Sequence, residues 1–379
     1  MRAVKFLAHE REVLERYLPG LDAKLRGYPL CELERPEGVA IRTFREHGGA
    51  RLLIPARYGG LGVPGTDVAR VQRALATRSP SLAVATTMHH FSVATLVEMA
   101  AADKGLSWLL IEAIARQGLL VASGFAEGKP STGILSPCAR LERGPGGLCV
   151  SGSKKPCSLS RSMSLLTLSM IDSREEGAGR RLVVGLINAN APGIERRPYW
   201  GSPILAGAES DEIVLRNVPI GEEALFYAGA ADLLDAVQLR GFLWFQLILT
   251  ASYLGVASAL VERVLLADRG TPEERSVAVT EVEGAMAALE SLGQEISTGK
   301  ATEEMLARSL YIRFMVQRAI ERASMLCAEM LGGTMFMSSP DVAYLLAASR
   351  AIAFHPPSRL SISKTLDDYT SSGKSLCLQ

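Results

Sequence analysis

Residues Leu331–Arg359 read LGGTMFMSSPDVAYLLAASRAIAFHPPSR. A Gly-Gly pair closes one helical segment, a short loop follows, and a second apolar helix runs into His355-Pro356-Pro357-Ser358. Proline disfavours helical backbone in the residue before it, so this helix is predicted to end at His355. The layout predicts a glycine loop lying on a ligand, then a helix that aims its C-terminal residues at a pocket.

Working outward, helical periodicity fills 229–379. Apolar residues recur at spacings of three and four over Leu233–Ala267, Val277–Thr298, Glu303–Leu331 and Ser339–Ala353, punctuated by Gly270-Thr271-Pro272 and Gly299-Lys300. Helices this long point to a C-terminal helical bundle. The polar tail from Thr365 is expected to fray or to dock on a neighbour. Upstream, over 118–228, the period shortens. Strands are predicted at Leu119–Phe125, Cys138–Glu142, Leu148–Val150, Leu165–Met170, Leu182–Ile187 and Glu212–Arg216. Gly144-Pro145-Gly146-Gly147 is the turn of a hairpin. Residues 1–117 are helical again, at Val4–Tyr17, Val39–His47, Thr66–Thr77 and Ser81–Ala101, with Thr66 as an expected N-cap. The predicted class is α+β: an N-terminal helical domain (1–117), a central β-barrel-like domain (118–228) and a C-terminal four-helix bundle (229–379).

Composition excludes several functions. The chain has 379 residues, 48% of them hydrophobic, which is ample for a large core. A formal net charge of +1 gives no general drive towards nucleic acid or an acidic membrane surface. None of the six cysteines forms a C-x-x-C pair, so no zinc site is expected. The run Gly241–Leu260 contains Gln246, Thr250, Ser252 and Ser258 and reads as a buried bundle helix, not a membrane span. With no signal-peptide pattern at the N-terminus, a cytoplasmic protein with free thiols is expected.

Four local patterns resemble the acyl-CoA dehydrogenase superfamily, in its order. They are Pro55-Ala56-Arg57-Tyr58-Gly59-Gly60-Leu61-Gly62, Gly152-Ser153-Lys154-Lys155, Trp200-Gly201 through Val218-Pro219, and Leu331-Gly332-Gly333-Thr334-Met335-Phe336. The resemblance spans nearly the whole chain. It implies a homotetramer or homodimer binding FAD between β-domain and bundle, with FMN, or reduced flavin delivered by a reductase, as the alternative. It also implies flavin contacts at Ser158, Cys157, Gly332, Gly333, Glu127 and Arg269. Ser158 stands where the family keeps a flavin-contacting Thr, and Pro156 stands where it keeps a Trp. Gly332 and Gly333 would approach the flavin of a neighbouring subunit; a helix C-cap is their other reading.

The chain departs from the family where the chemistry is done. Dehydrogenation needs a base for the α-proton of a thioester. Counted without gaps from Gly332-Gly333, the family's Y-E-G-T lands on His355-Pro356-Pro357-Ser358, so proline replaces the carboxylate. The first bundle helix, where some relatives carry the Glu, reads Gly241-Phe242-Leu243-Trp244-Phe245-Gln246-Leu247 and holds no acid. The acyl-CoA-contacting D-x-x-R falls on Leu243 and Gln246. The flavin-contacting R-x-x-F-G falls near Arg269 without its Phe-Gly. The T-E-P loop keeps only Glu127.

Three readings follow. The first, preferred on overall layout, is oxidation of an acyl thioester on CoA or a carrier protein, with His355 as base and Ser358 beside it. The second is a reduced-flavin-dependent monooxygenase of the same fold, in which a His or Ser steadies the peroxyflavin or accepts a substrate proton. The third is an inactive binding or assembly subunit. Candidate substrate contacts are His89, His90, Phe245, Gln246 and Arg359. His355 also has a plain alternative as a cap on its helix terminus.

Overall fold

The computed structural model describes residues 5–102, 107–128, 137–144, 146–173, 181–230 and 236–376. Seven helices lead: α1 (Ala8–Tyr17), α2 (Leu21–Arg26), α3 (Leu30–Leu33), α4 (Val39–Glu46), α5 (Gly65–Arg78), α6 (Pro80–Ala102) and α7 (Ser107–Gln117). A sheet follows, formed by β1 (Val121–Gly124), β2 (Arg140–Gly144), β3 (Gly147–Cys157), β4 (Leu165–Asp172), β5 (Arg181–Asn188), β6 (Ile194–Arg197), β7 (Asp211–Pro219) and β8 (Leu225–Ala230). The chain then turns helical again with α8 (Ala236–Leu266), α9 (Pro272–Thr298), α10 (Glu303–Ser338), α11 (Pro340–Ser349) and α12 (Arg359–Ser372).

The eight strands make one mixed sheet in the order β6-β7-β3-β2-β4-β5-β8, with β1 joined to β4 in parallel. The Gly-rich turn closes the β2–β3 hairpin, with Gly144 opposite Gly147. Strand β3 runs well past the expected Val150. Strands β6 and β8 had no expectation: β6, IERR, has no apolar alternation, and β8 contains Ala-Gly-Ala.

Helix α8 is the axle of the helical layers. Every residue from Phe245 to Glu262 is buried, and α8 packs against α5, α6, α9, α10 and α11. A fully buried Leu, Ile or Phe contributes roughly 1.5–3 kcal/mol, so this helix is held by packing. Among the described helices it is the one long and apolar enough to cross a membrane, and here it lies buried inside the molecule. Close backbone contact demands small residues. A Cβ on Gly255 would lie 2.3 Å from the Arg73 carbonyl oxygen, so glycine lets α5 and α8 meet. Arg73 is fully buried and pins four helices. Its guanidinium donates to Glu10 on α1 and Glu283 on α9, each at 2.6 Å, and to Ser258 on α8 at 3.0 Å.

Several boundaries differ from the sequence reading for local reasons. Helix α5 begins at Gly65, after Pro64, and Thr66 is not its cap. The Gly65 N–H is satisfied by Ser297 Oγ at 2.8 Å across the α5–α9 contact. Helix α9 begins five residues before the expected Val277, because Thr271 and Glu274 form a reciprocal capping box with Pro272 at the first position. Helix α10 runs on to Ser338 through a break at Gly332 (φ 81°, ψ 164°), a backbone state open to glycine. The tail is helical as far as Ser372: Ser358 caps α12, whose Ile362 and Leu366 are buried.

Candidate active site

A cleft opens between the sheet and helices α6 and α8. The sheet side presents hydroxyls from Ser123 on β1, Ser158 just after β3, Ser169 on β4 and Ser210 just before β7. The helical side is aromatic. Phe91 of α6 meets Phe125 edge-on at 5.8 Å and Phe245 of α8 at 5.5 Å, and Phe242 lies 5.9 Å from Phe245. At one end stand Tyr253, Phe354, His355 and Pro356. Phe354 and Trp200 expose much of their surface while lining the cleft.

His355 ends a 3-10 turn, Arg350–Phe354, that continues α11, and its backbone turns extended (φ −74°, ψ 138°) as the following proline requires. Its Nε2 lies 2.7 Å from the Tyr253 hydroxyl. Behind the pair sits Arg313 of α10, fully buried. Its Nη2 donates to the carbonyls of His355 (2.6 Å) and Ile352 (3.3 Å), and its Nη1 to the Pro356 carbonyl (3.1 Å) and Gln246 Oε1 (3.0 Å). These acceptors are all uncharged. Arg313 Nε and Gln246 Nε2 are buried without partners. Burial first, then the Arg313 charge, holds His355 down to about 3, so the imidazole is neutral at physiological pH. Burial lowers Arg313 itself to about 10, still a cation at neutral pH. Burial raises Tyr253 well above the usual phenol range, which keeps it a hydroxyl.

Beneath the sheet side, Lys154 is fully buried and paired with buried Glu127, and it also donates to Ser169 Oγ at 3.3 Å. Burial pulls Lys154 below its ordinary range, against the pull of Glu127. Because Ser169 accepts from the lysine, its own O–H is free to donate into the cleft. Ser158 and Ser210 lie 3.0 Å apart, Oγ to Oγ. One O–H bridges them, so the other hydrogen is left to donate elsewhere. Flat aromatic walls facing free hydroxyl donors suit a flavin ring, which needs apolar faces and donors at its heteroatoms.

The sequence-derived candidates divide. His355, Ser158 and Phe245 line the cleft. Glu127 is committed to Lys154. Cys157 is buried beside Ser158 without lining the cleft, and burial pushes its thiol up to about 12, which makes it inert. Gln246, next to Phe245, turns away from the cleft to Arg313. His89 does not face the cleft. Its Nδ1 accepts from the Val121 N–H at 3.0 Å and its Nε2 donates to the Ala50 carbonyl at 2.9 Å, tying α6 to the first strand. His90 is buried against Phe44 and His89 with both ring nitrogens unpartnered. Ser358 accepts from the Ser361 N–H at 3.1 Å as the cap of α12, outside the cleft lining. Arg359 and Arg269 are exposed and line no part of the cleft, and Gly332 and Gly333 face open space.

Tyr253 and Arg313 had no place in the sequence reading. Tyr253 carries no local signal. Arg313 does: it is the charged residue within Tyr311-Ile312-Arg313-Phe314-Met315-Val316, where a solvated residue would break the apolar face.

No family model matches the chain. It is 41% identical over 370 residues to isobutylamine N-hydroxylase of Streptomyces viridifaciens, covering 96% of this chain and 97% of that protein. Among solved structures it resembles KijD3 in complex with FMN and a dTDP-linked amino-keto sugar, with TM-score 0.82 at 20% identity over 96% of this chain and 94% of that one. It also resembles glutaryl-coenzyme A dehydrogenase with glutaryl-CoA, with TM-score 0.76 at 16% identity over 99% and 98%. The layered architecture, the hydroxyl-and-aromatic cleft and the near-full-length likeness to the N-hydroxylase establish the chain as a member of the acyl-CoA dehydrogenase superfamily of flavin enzymes.

Proposed function

We propose that this protein is a reduced-flavin-dependent monooxygenase that hydroxylates the nitrogen of a small, largely apolar amine. The observation that carries the reading is the composition of the cleft: no carboxylate lines it among the described residues, and a neutral His355 hydrogen-bonded to Tyr253 stands at its end. A thioester dehydrogenase needs a base aimed at a carbon acid, and family members use a carboxylate there. Nitrogen oxidation needs no carbon acid. It needs a lone pair on the amine and a group to take the proton that nitrogen sheds. The relative at 41% identity, named for N-hydroxylation of isobutylamine, supports the same direction.

The balance is simple. An amine RNH2 and dioxygen, with two electrons and two protons, give RNHOH and water. A reduced flavin bound in the cleft, FAD or FMN, would supply the electrons and activate oxygen. The residues of this chain supply the rest. Phe91, Phe242 and Phe245 exclude water and hold the alkyl part of the substrate. Ser158, Ser169 and Ser210 offer hydroxyl donors towards the cofactor side. His355, neutral at working pH, takes the proton released from nitrogen, and the Tyr253 hydroxyl fixes the orientation of its ring.

The test uses purified protein with FMN or FAD, a flavin reductase with NADH, isotopically labelled dioxygen and isobutylamine. The expected product is the hydroxylamine carrying one labelled oxygen atom, formed only when oxygen is present. Anaerobic bleaching of bound flavin by an acyl thioester, with no labelled amine product, would replace this reading with thioester oxidation.

A further inference from the structure

We infer that the cleft admits its amine as the uncharged free base and rejects the ammonium form, and that Arg313 is the positioning residue that imposes this choice. The inference rests on the amine-oxidising reading above and deepens it.

An aromatic cleft is ordinarily attractive to cations. An ammonium over the faces of Phe, Tyr or Trp gains cation–π energy, and aromatic cages for alkylammonium ions work this way. This cleft has the aromatic walls, in Phe91, Phe242, Phe245 and Tyr253, but it has a guanidinium behind its end wall. Arg313 is buried and bonded only to neutral acceptors. Several carboxylates on the packed elements are engaged elsewhere. Glu281 and Glu295 of α9 pair with Arg322 and Arg308, Asp341 of α11 with Arg263, and Glu321 of α10 with Arg350. On the cleft side, Glu98 of α6 pairs with Arg240, Glu127 with Lys154 and Asp211 with Arg161. The titratable groups directly beside Arg313 are Tyr253 and His355, both uncharged at neutral pH. The positive field therefore reaches the end of the cleft without a counter-charge on the described residues, where like charges repel far more strongly than in water.

The same placement serves the chemistry. An ammonium has no lone pair on nitrogen to oxidise. The field that turns it away also holds His355 in its neutral form, while the three carbonyl contacts hold the His355-Pro356 backbone in place. Nδ1 of His355 has no protein partner among the described residues and is available to a bound amine.

The test is binding of two probes of one shape. Choline carries a fixed trimethylammonium; its carbon isostere has a tert-butyl group in that position. Calorimetry on the flavin-loaded protein is expected to show the isostere binding at least about tenfold more tightly, although aromatic walls alone would favour choline. Arg313→Met is expected to close or reverse the gap, and Arg313→Lys, which keeps the charge but loses the fork, to preserve it. In amine turnover by Arg313→Met, the acid limb of kcat set by His355 should move to higher pH, while burial still holds it below the ordinary imidazole range. If Arg313→Met does not fold, the wild-type comparison and Arg313→Lys decide. Wild type binding choline as tightly as the isostere, or binding neither, overturns the inference. So does a gap that persists in folded Arg313→Met. Absence of hydroxylamine despite tight isostere binding would instead overturn the amine-oxidising reading alone.

Discussion

The Tyr253 hydroxyl lies 2.7 Å from Nε2 of His355, although 102 positions separate the two in the chain. One comes from the middle of the central helix and the other from the residue that ends a 3-10 turn. Their meeting places at the end of the cleft a neutral imidazole held at one ring nitrogen, with no partner at the other among the described residues.

His355→Ala should lower kcat for amine oxidation by roughly 100-fold or more, the usual contribution of a positioned proton acceptor. Tyr253→Phe should cost less, about tenfold, because the acceptor remains and only its orientation loosens. Steady-state kinetics with a saturating reductase measure both. Equal turnover in His355→Ala and wild type would remove the imidazole from the mechanism.

Much of this fold is legible in the sequence because its signals are local. The Gly144–Gly147 turn, the long periodic helices and the ordered glycine motifs each depend on a few neighbouring residues. His355 was legible as a helix end at the cleft because proline restricts the residue before it. Its partners were not: nothing local distinguishes Tyr253 from any apolar-face tyrosine, and Arg313, a lone charge in an apolar run, shows what it holds only once three carbonyls converge on it. Ser358 and Arg359 misled for the complementary reason. They follow the same prolines, but Ser358 caps the next helix and Arg359 opens it, so both leave the cleft. His89 and His90 looked like ligand groups, yet His89 spends both nitrogens on backbone.

Acid should weaken the fold through its buried histidines. Burial depresses His89 from 6.5 to about 4 and holds His90 well below the ordinary imidazole range, so the unfolded chain binds protons that the folded one refuses. The stability due to neutral His89 is complete above about pH 6.5 and is lost as pH falls to about 4, amounting to about 3 kcal/mol. Burial raises the Glu34 carboxyl, so that group acts in the opposite sense and favours the fold below its ordinary 4.5. Urea midpoints measured from pH 7.5 to 4.5 should fall steadily. His89→Gln, which keeps a donor and an acceptor but does not titrate, should flatten that slope; an unchanged slope would assign the acid sensitivity elsewhere.

Glu34 joins three parts of the molecule. Its carboxyl accepts from Ser79 Oγ at 2.5 Å, from Ser81 at the start of α6 and from Tyr344 of α11, and the Tyr344 hydroxyl also accepts the Leu205 N–H at 2.9 Å beside the cleft. Glu34→Ala leaves those hydroxyls buried without their acceptor. A loss of about 3 kcal/mol is expected from the stranded donors, read as a lower denaturant midpoint. A loss below about 1 kcal/mol would mean that water replaces the carboxyl.

The final prediction separates the two members of the buried pair below the sheet. Lys154→Met removes the cation and leaves Glu127, almost fully buried, without its partner. Breaking one side of such a pair costs about 3–5 kcal/mol, because the remaining charge must be protonated or stay unsolvated. The double variant Lys154→Met/Glu127→Leu removes both charges and should recover most of that loss, since a dry apolar pair avoids the desolvation that the ions suffer. Both variants also free the Ser169 hydroxyl from the lysine that now donates to it. If Ser169 faces a flavin, as its position in the cleft predicts, the double variant should regain stability yet bind FMN or FAD more weakly than wild type. Flavin titration followed by fluorescence measures this. A double variant that recovers stability and flavin affinity together would confine the ion pair to the fold and leave Ser169 out of cofactor binding.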